Sequence, residues 1–372
     1  MANDETSIRA INAAIEREKL PWTAGPTTLA GLPPEEQRKY LGLLVDPAEL
    51  QRMESETRRL AAQERTAFAA RAVGAPTAVD WRNNGGNYVT PIQNQGGCGS
   101  CVSFCSCAVI ESAVRIKLQN PGYNIDLSEG FLQFCGGGSC NGWGLTSGLD
   151  YAQSTGVTDE ACMPYTAGGG ANMNCAASRC SDWQNRLTKI SSYTALATMD
   201  ARKSAIAAGP VLAGLEVWSD FFAYSSGVYV KSSTATRLSP PGYHCICVVG
   251  YDDSQQCWIL KNSWGTGWGE AGFMRMRYGQ TDLLIDSSWS FYSVVVQIQA
   301  GWYNNVTVGQ VFASRDSQNA WAYLQGLGWR RIQPGAADAV TNMLLVFAQA
   351  VARNKQVTVY ADGNFVYQAY LL

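Results

Sequence analysis

The sequence predicts an α+β fold in which helices come first and strands follow, with a charged helical head before it and a small α+β module after it. Three observations carry this expectation. A largely apolar stretch from Cys101 to Leu118 is long enough for a buried helix. Downstream, Val211–Val217, His244–Tyr251, Cys257–Lys261 and Gly272–Arg277 are short β-rich runs separated by Gly, Pro and Asp turns. Cysteine is confined to the segment from Cys98 to Cys257, so the 372-residue chain reads as a Cys-free head, a middle rich in Cys, Gly and Trp, and a Cys-free tail. This length suggests two or three domains.

Charge marks the same divisions. Residues 1–75 hold 10 Lys/Arg and 11 Asp/Glu, a far denser charge than the rest of the chain. Ile8, Ile11 and Ile15 recur at helical spacing behind Thr6, which reads as an N-cap. Asp46-Pro47 opens a second helix, with Leu50, Met53, Thr57 and Leu60 on one face. Between them runs an apolar, extended stretch from Leu20 to Leu32, and an Ala/Gly/Pro-rich linker follows at Ala70–Ala78. In the tail, Val306–Ala313, Gln356–Tyr360 and Phe365–Leu371 read as strands, and Ser317–Leu327 and Ala336–Asn354 as helices.

Composition excludes several classes. Hydrophobic content of 46% with 16% charged residues is that of a folded chain, not a disordered one. A net charge of −2 gives no basic surplus for nucleic acid or an anionic membrane, so no nucleic-acid partner is expected. No apolar run approaches the roughly 18 residues of a membrane span, so none is expected. The opening residues MANDETSIRA contain no apolar signal-peptide core, whereas 12 cysteines favour an oxidising compartment, secreted or lysosome-, vacuole- or periplasm-like.

One constellation carries chemistry. Gln95-Gly96-Gly97-Cys98-Gly99-Ser100-Cys101 lies where a loop runs into the apolar helix. A helix N-terminus favours a thiolate at Cys101, and a neighbouring imidazolium favours it further. The chain has a single histidine, His244, at the start of a strand. Asn262, in Lys261-Asn262-Ser263-Trp264-Gly265, can orient the ring through its side-chain carbonyl.

These motifs resemble the papain family of cysteine proteases, whose signature places Cys-Gly-Ser-Cys near the mature start, with His and Asn downstream. The resemblance extends over residues 78–297 through Asp80-Trp81-Arg82, Leu127-Ser128-Glu129, Cys140-Asn141-Gly142, Met163-Pro164-Tyr165 and Asn262 to Gly269. It implies a two-lobed fold, a helical lobe facing a β-barrel-like lobe, and it assigns roles. Cys101 is the nucleophile and His244 the base, paired as thiolate and imidazolium. Asn262 orients the ring and Trp264 shields it from water. Gln95 donates to the oxyanion beside the Cys101 amide. Gly142, Trp143, Gly214 and Cys245 join Trp264 as substrate-binding residues, and the small Gly214 and Cys245 leave room for a bulky apolar side chain. The family's aromatic residue after the nucleophile is Val102 here.

The resemblance also suggests a Cys98–Cys140 bridge, and Cys135 paired with Cys175 or Cys180, the remaining one joining Cys162. Cys105, Cys107, Cys245 and Cys247 are expected as buried free thiols. Their Cys-x-Cys spacing is not that of structural zinc sites, so no metal and no cofactor is expected.

The expected organisation is an inhibitory prosegment over 1–75, laid across Cys101 and cleaved near Gly74–Thr77, a peptidase domain over 76–297, and an α+β module over 298–372. The expected activity is hydrolysis of protein or peptide substrates through a thioester, with the chain's own prosegment as a partner in the cleft. Two alternatives use the same motifs: a transpeptidase or ligase passing the acyl group to an amine, and a non-catalytic interaction protein acting through the C-terminal module. That module has no Cys or His but is rich in aromatics, including Trp302, Trp321, Tyr323 and Trp329, and is a candidate for binding a protein or a glycan.

Overall fold

The computed structural model describes residues 2–46, 75–280, 283, 285, 291–297, 301–315, 318–335, 337–361 and 365–372. The helix expected after Pro47 lies outside them, as does most of the linker. The chain divides into two compact units, 1–113 with 125–295, and 114–124 with 296–372.

The first unit begins with helix α1, Ala2–Glu18, which starts ahead of Thr6, so that residue is inside the helix rather than at its cap. Strand β1, Trp22–Ala24, and a short helix α2, Pro34–Arg38, complete the described head. Asn12 of α1 brackets Ala24, donating to its carbonyl at 2.9 Å and accepting from its amide at 3.0 Å. After β2, Ala78–Asp80, come the helices α3, Cys101–Lys117, α4, Glu129–Cys135, and α5, Leu145–Ser154. Strand β3 spans Lys189–Ala195 and helix α6 Met199–Ala208. The strands β4, Val211–Trp218, β5, Tyr224–Tyr229, β6, Arg237–Asp252, β7, Cys257–Lys261, β8, Phe273–Arg277, and β9, Phe291–Gln297, follow.

Among the described residues these strands form one sheet in the order β1-β5-β8-β7-β6-β4-β9-β3, with β2 on β6. The head contributes its edge strand, β1, antiparallel to β5. Strands β4 and β7 are buried along nearly their whole length, as continuous apolar runs covered on both faces require. Trp258 of β7 is fully buried, as are Trp264, Trp268, Tyr224 and Tyr229. The loops around α4 and α5 lack such a ladder and are tied by Cys98–Cys140, Cys135–Cys175 and Cys162–Cys180, which resolves the open pairing. The other six cysteines are free and buried.

The second unit is a closed barrel, β10-β11-β12-β14-β13, built from β10, Gly301–Ala313, β11, Ala320–Leu324, β12, Gly328–Ile332, β13, Gln356–Ala361, and β14, Phe365–Leu371. Helix α7, Ala337–Arg353, connects β12 to β13. The helix expected over Ser317–Leu327 is therefore corrected to a strand and a turn. Ala320, Ala322 and Leu324 alternate into the barrel, and the turn after them has Gly326 at φ 86° and Gly328 at φ 75°, where a helix cannot continue. Within this unit Asn120 donates to the Gly326 carbonyl at 3.2 Å.

Candidate active site

Helix α3 begins at Cys101, and the loop before it is fixed by the Cys98–Cys140 bridge and by the Gly99 amide on the Cys140 carbonyl at 2.9 Å. His244 stands on β6 and Asn262 just beyond β7. The antiparallel pairing of those strands, Cys247 opposite Lys261, brings the two together. His244 Nε2 lies 2.8 Å from Asn262 Oδ1, which also accepts from the Ser263 amide at 2.8 Å. Trp264 is buried, its ring centroid 4.7 Å from the imidazole and stacked on Phe222 at 5.6 Å. Below Asn262, Lys261 donates to Thr90 at 3.0 Å, and Thr90 donates to buried Glu111 at 2.6 Å, tying β7 to α3.

The Cys101 sulfur accepts from the Cys245 amide at 3.4 Å, so it lies against the backbone immediately after His244. Three amides, of Cys245, Gly42 and Val102, favour its ionised form, but burial outweighs them and pushes the thiol up to about 12. Burial also holds His244 at about 4, against the smaller pull of Asn262 and the Tyr40 backbone. His244 Nδ1 is buried with no hydrogen bond of good geometry. Burial in this covered cleft therefore disfavours the charged form of both the thiol and the imidazole. Both side chains are fully buried there.

The cover is the head. Residues 40–44 run through the cleft on backbone hydrogen bonds: Trp143 donates to the Gly42 carbonyl at 2.8 Å, Leu44 to the Trp143 carbonyl at 2.9 Å and Leu43 to the Tyr243 carbonyl at 3.1 Å. Leu43 pairs with Trp143 in parallel and is buried. The Tyr40 carbonyl accepts from Gln95 Nε2 at 3.1 Å, and the Tyr40 ring meets the edge of Trp264 at 6.3 Å. Gly42 passes so close to the loop before Cys101 that a Cβ there would lie 1.9 Å from the Gly99 carbonyl oxygen. From this segment the Gly42 amide, a donor, faces the sulfur.

The structure thus brings Gln95, Cys101, His244, Asn262 and Trp264 into one buried cluster, with Trp143 at its rim. Gly142, at φ 120°, packs against the Gly42 carbonyl. Gly214 stands opposite Cys245 in the β4–β6 ladder. Sequence reasoning missed the residues that hold Gln95. Ser263 donates to Gln95 Oε1 at 2.7 Å, and Tyr165 donates to the Gln95 backbone carbonyl at 2.7 Å. It also missed Tyr40 and Gly42, although a glycine inside the apolar run Leu41-Gly42-Leu43 is a sequence signal for close backbone approach. Among the described residues no group of three or more His, Cys, Asp or Glu is placed to hold a metal ion.

Comparison with known proteins gives the same picture. Residues 75–292 match the model of the papain family cysteine proteases. Cysteine proteinase 1 of Entamoeba histolytica is 37% identical over 214 residues, 55% of this chain and 64% of its own length. Cathepsin S of Bos taurus is 35% identical over 214 residues, 54% of this chain and 60% of its own. The chain thus spans under two thirds of these curated relatives. Among solved structures, digestive procathepsin L 3 of Tenebrio molitor larval midgut superposes with a TM-score of 0.60 at 25% identity, over 79% of this chain and 89% of that one.

Proposed function

Because the chain belongs to the papain family of cysteine proteases and has its α+β fold, we propose that it is a cysteine endopeptidase made as a latent precursor, hydrolysing protein or peptide substrates through Cys101. The observation that carries this reading is the 2.8 Å His244–Asn262 hydrogen bond beside a sulfur held by the Cys245 amide. With Nε2 committed to Asn262, Nδ1 is the nitrogen left to take the Cys101 proton. The thiolate attacks the peptide carbonyl carbon, and the imidazolium returns its proton to the leaving amine. The resulting thioester is hydrolysed by water that His244 deprotonates. Gln95 Nε2 and the Cys101 amide receive the oxyanion, each such donor lowering the barrier by about 3 kcal/mol. Trp264 keeps water from the His–Asn pair. No cofactor enters these steps.

The proposed division is a prosegment over 1–75, a peptidase over 76–297 and a separate module over 298–372. The prosegment blocks the enzyme by placing the Tyr40 carbonyl on the Gln95 donor and Leu43 beside Trp143, where substrate backbone is expected. Gly214 and Cys245 shape the neighbouring pocket for an apolar side chain. Three disulfides fit an oxidising compartment.

The test is activity-based labelling. After removal of the head, a thiol-directed epoxide is expected to label the protein once, at Cys101, and a fluorogenic peptide to be cleaved. Cys101→Ala is expected to abolish both, and the unprocessed chain to resist labelling. Cleavage that survives Cys101→Ala in a protease-free preparation overturns the assignment.

A further inference from the structure

The second unit takes no part in that chemistry but carries a face of its own. Its barrel closes in the order β10-β11-β12-β14-β13, with α7 between the third and fourth strands in sequence and β12 parallel to β14. This is the strand order of the oligonucleotide/oligosaccharide-binding barrel, in which the outer face of the second and third strands meets the ligand. Topology alone assigns no ligand, so the side chains on that face must do so.

Strand alternation identifies them. Ala320, Ala322, Leu324 and Ile332 are buried in the barrel, so Trp321, Tyr323, Trp329 and Arg331 point outward and are partly exposed. Register then places Phe312, Trp321, Arg331 and Phe365 in one row across four neighbouring strands. At about 4.8 Å between strands that row is about 14 Å long. Tyr323 and Trp329 lie opposite each other in the next row, their centroids 5.7 Å apart and edge to face. Phe312 is 50% exposed. The Trp321 indole is held in one orientation by its Nε1 donating to Asn319 at 2.8 Å. The result is a set of rings on one face, with Arg331 between Trp321 and Phe365.

Charge decides what stacks on it. Single-stranded nucleic acid needs a cationic groove together with rings. Here the two rows contain one cation, Arg331, while Arg330 on the same strand turns inward and is 2% exposed. An uncharged polymer of rings, with apolar C–H faces to stack and hydroxyls for a guanidinium to meet, fits this surface. We propose that the β11–β12 face of the C-terminal barrel, centred on Trp321, Trp329 and Arg331, binds a neutral oligosaccharide chain.

The experiment uses the full chain carrying Cys101→Ala, so that a single species is titrated. Cellohexaose, chitohexaose, mannohexaose and xylohexaose are each followed by calorimetry and indole fluorescence. At least one is expected to bind with a Kd of about 1 mM or tighter. Trp321→Ala and Trp329→Ala are each expected to weaken that binding about tenfold or more, the scale of a lost stacking contact. Phe312→Ala, at a largely exposed position, is expected to weaken it with an unchanged thermal midpoint, which separates lost binding from lost folding. In the processed, catalytically intact chain none of these changes is expected to alter cleavage of a short peptide. No binding by any hexaose at about 5 mM overturns the proposal. Hexaose binding that survives both tryptophan variants does the same, as does saturable binding of a deoxythymidine oligomer lost with those tryptophans.

Discussion

The head meets the peptidase at two places in different ways. At the cleft, residues 42–44 are held by backbone hydrogen bonds to Trp143 and Tyr243, and the closest approach to the catalytic loop is made by a residue with no side chain, Gly42. At the far end the contacts are made by side chains. Trp22 is buried between Tyr224, at 6.2 Å, and Tyr229, at 4.9 Å, while Thr27 donates to the Phe222 carbonyl at 2.6 Å and Glu18 accepts from Ser233. Backbone hydrogen bonds discriminate little between side chains, so beside Tyr40 and buried Leu43 the cleft contact is limited by shape at Gly42, whereas the far contact depends on particular side chains. We therefore propose that covering the cleft and attaching the head are separable properties of one segment.

The sharpest way to break this division is Gly42→Val. Its Cβ would fall on the Gly99 carbonyl, backbone against backbone, so neither side yields by rotating a side chain. Covering of the cleft is expected to weaken by at least about 4 kcal/mol, leaving the unprocessed chain open to thiol-directed labelling. The far anchors should keep the head attached, which sedimentation after cleavage of the linker reports. A covered, unreactive Gly42→Val protein would show that the crossing is not shape-limited.

Trp22→Ala addresses the other region and comes next in size. Removing a ring this deeply buried typically costs about 3 kcal/mol. Added in trans to a Cys101→Ala peptidase, a head peptide with this change is expected to bind about a hundredfold more weakly. Peptide that does bind should still protect His244 from diethylpyrocarbonate, because the cleft contacts are intact.

The same contrast explains what was legible in the sequence. Cys101, His244, Asn262 and Gln95 stand in motifs because their chemistry requires those side chains in those local settings. The three disulfides were legible as far as the one open choice at Cys175 and Cys180. A crossing of Cys101 by the head was expected, but not that residues 40–44 make it, because they pair through backbone with partners about a hundred or more positions away, and Leu41-Gly42-Leu43 reads locally as an apolar loop. The strand β11 was misread for a related reason. Ala320-Trp321-Ala322-Tyr323-Leu324 is too short to separate a period of two from one of three to four, and alanine favours a helix until a barrel interior demands small side chains.

Acid is expected to act on the cleft contact with intermediate strength. Burial holds the covered His244 near 4, below its ordinary 6.5, so the covered state binds fewer protons than the open one. Covering is therefore strongest above pH 6.5 and weakens as pH falls from there toward 4. For the head peptide on the Cys101→Ala peptidase, affinity measured by fluorescence anisotropy is expected to drop about tenfold across that window. The His244→Ala, Cys101→Ala double variant should lose this slope; an unchanged profile would remove His244 as its source.

The smallest effect belongs to the far end and lies lower on the pH axis. Hydrogen bonds from Ser233 hold the Glu18 carboxyl below its ordinary 4.5 in the docked head. A carboxyl lowered on docking contributes to binding above its free value, and that contribution is lost as pH falls through the lowered one. Because Glu18 is only partly buried and stays in reach of solvent, its share is expected to be less than about threefold in affinity. In the His244→Ala, Cys101→Ala background a shallow acid slope should therefore remain below pH 4.5, and Glu18→Gln on the head peptide should flatten it. If that substitution changed the slope between pH 6.5 and 4.5 instead, the two contacts would be coupled, and blocking and affinity would not be separable.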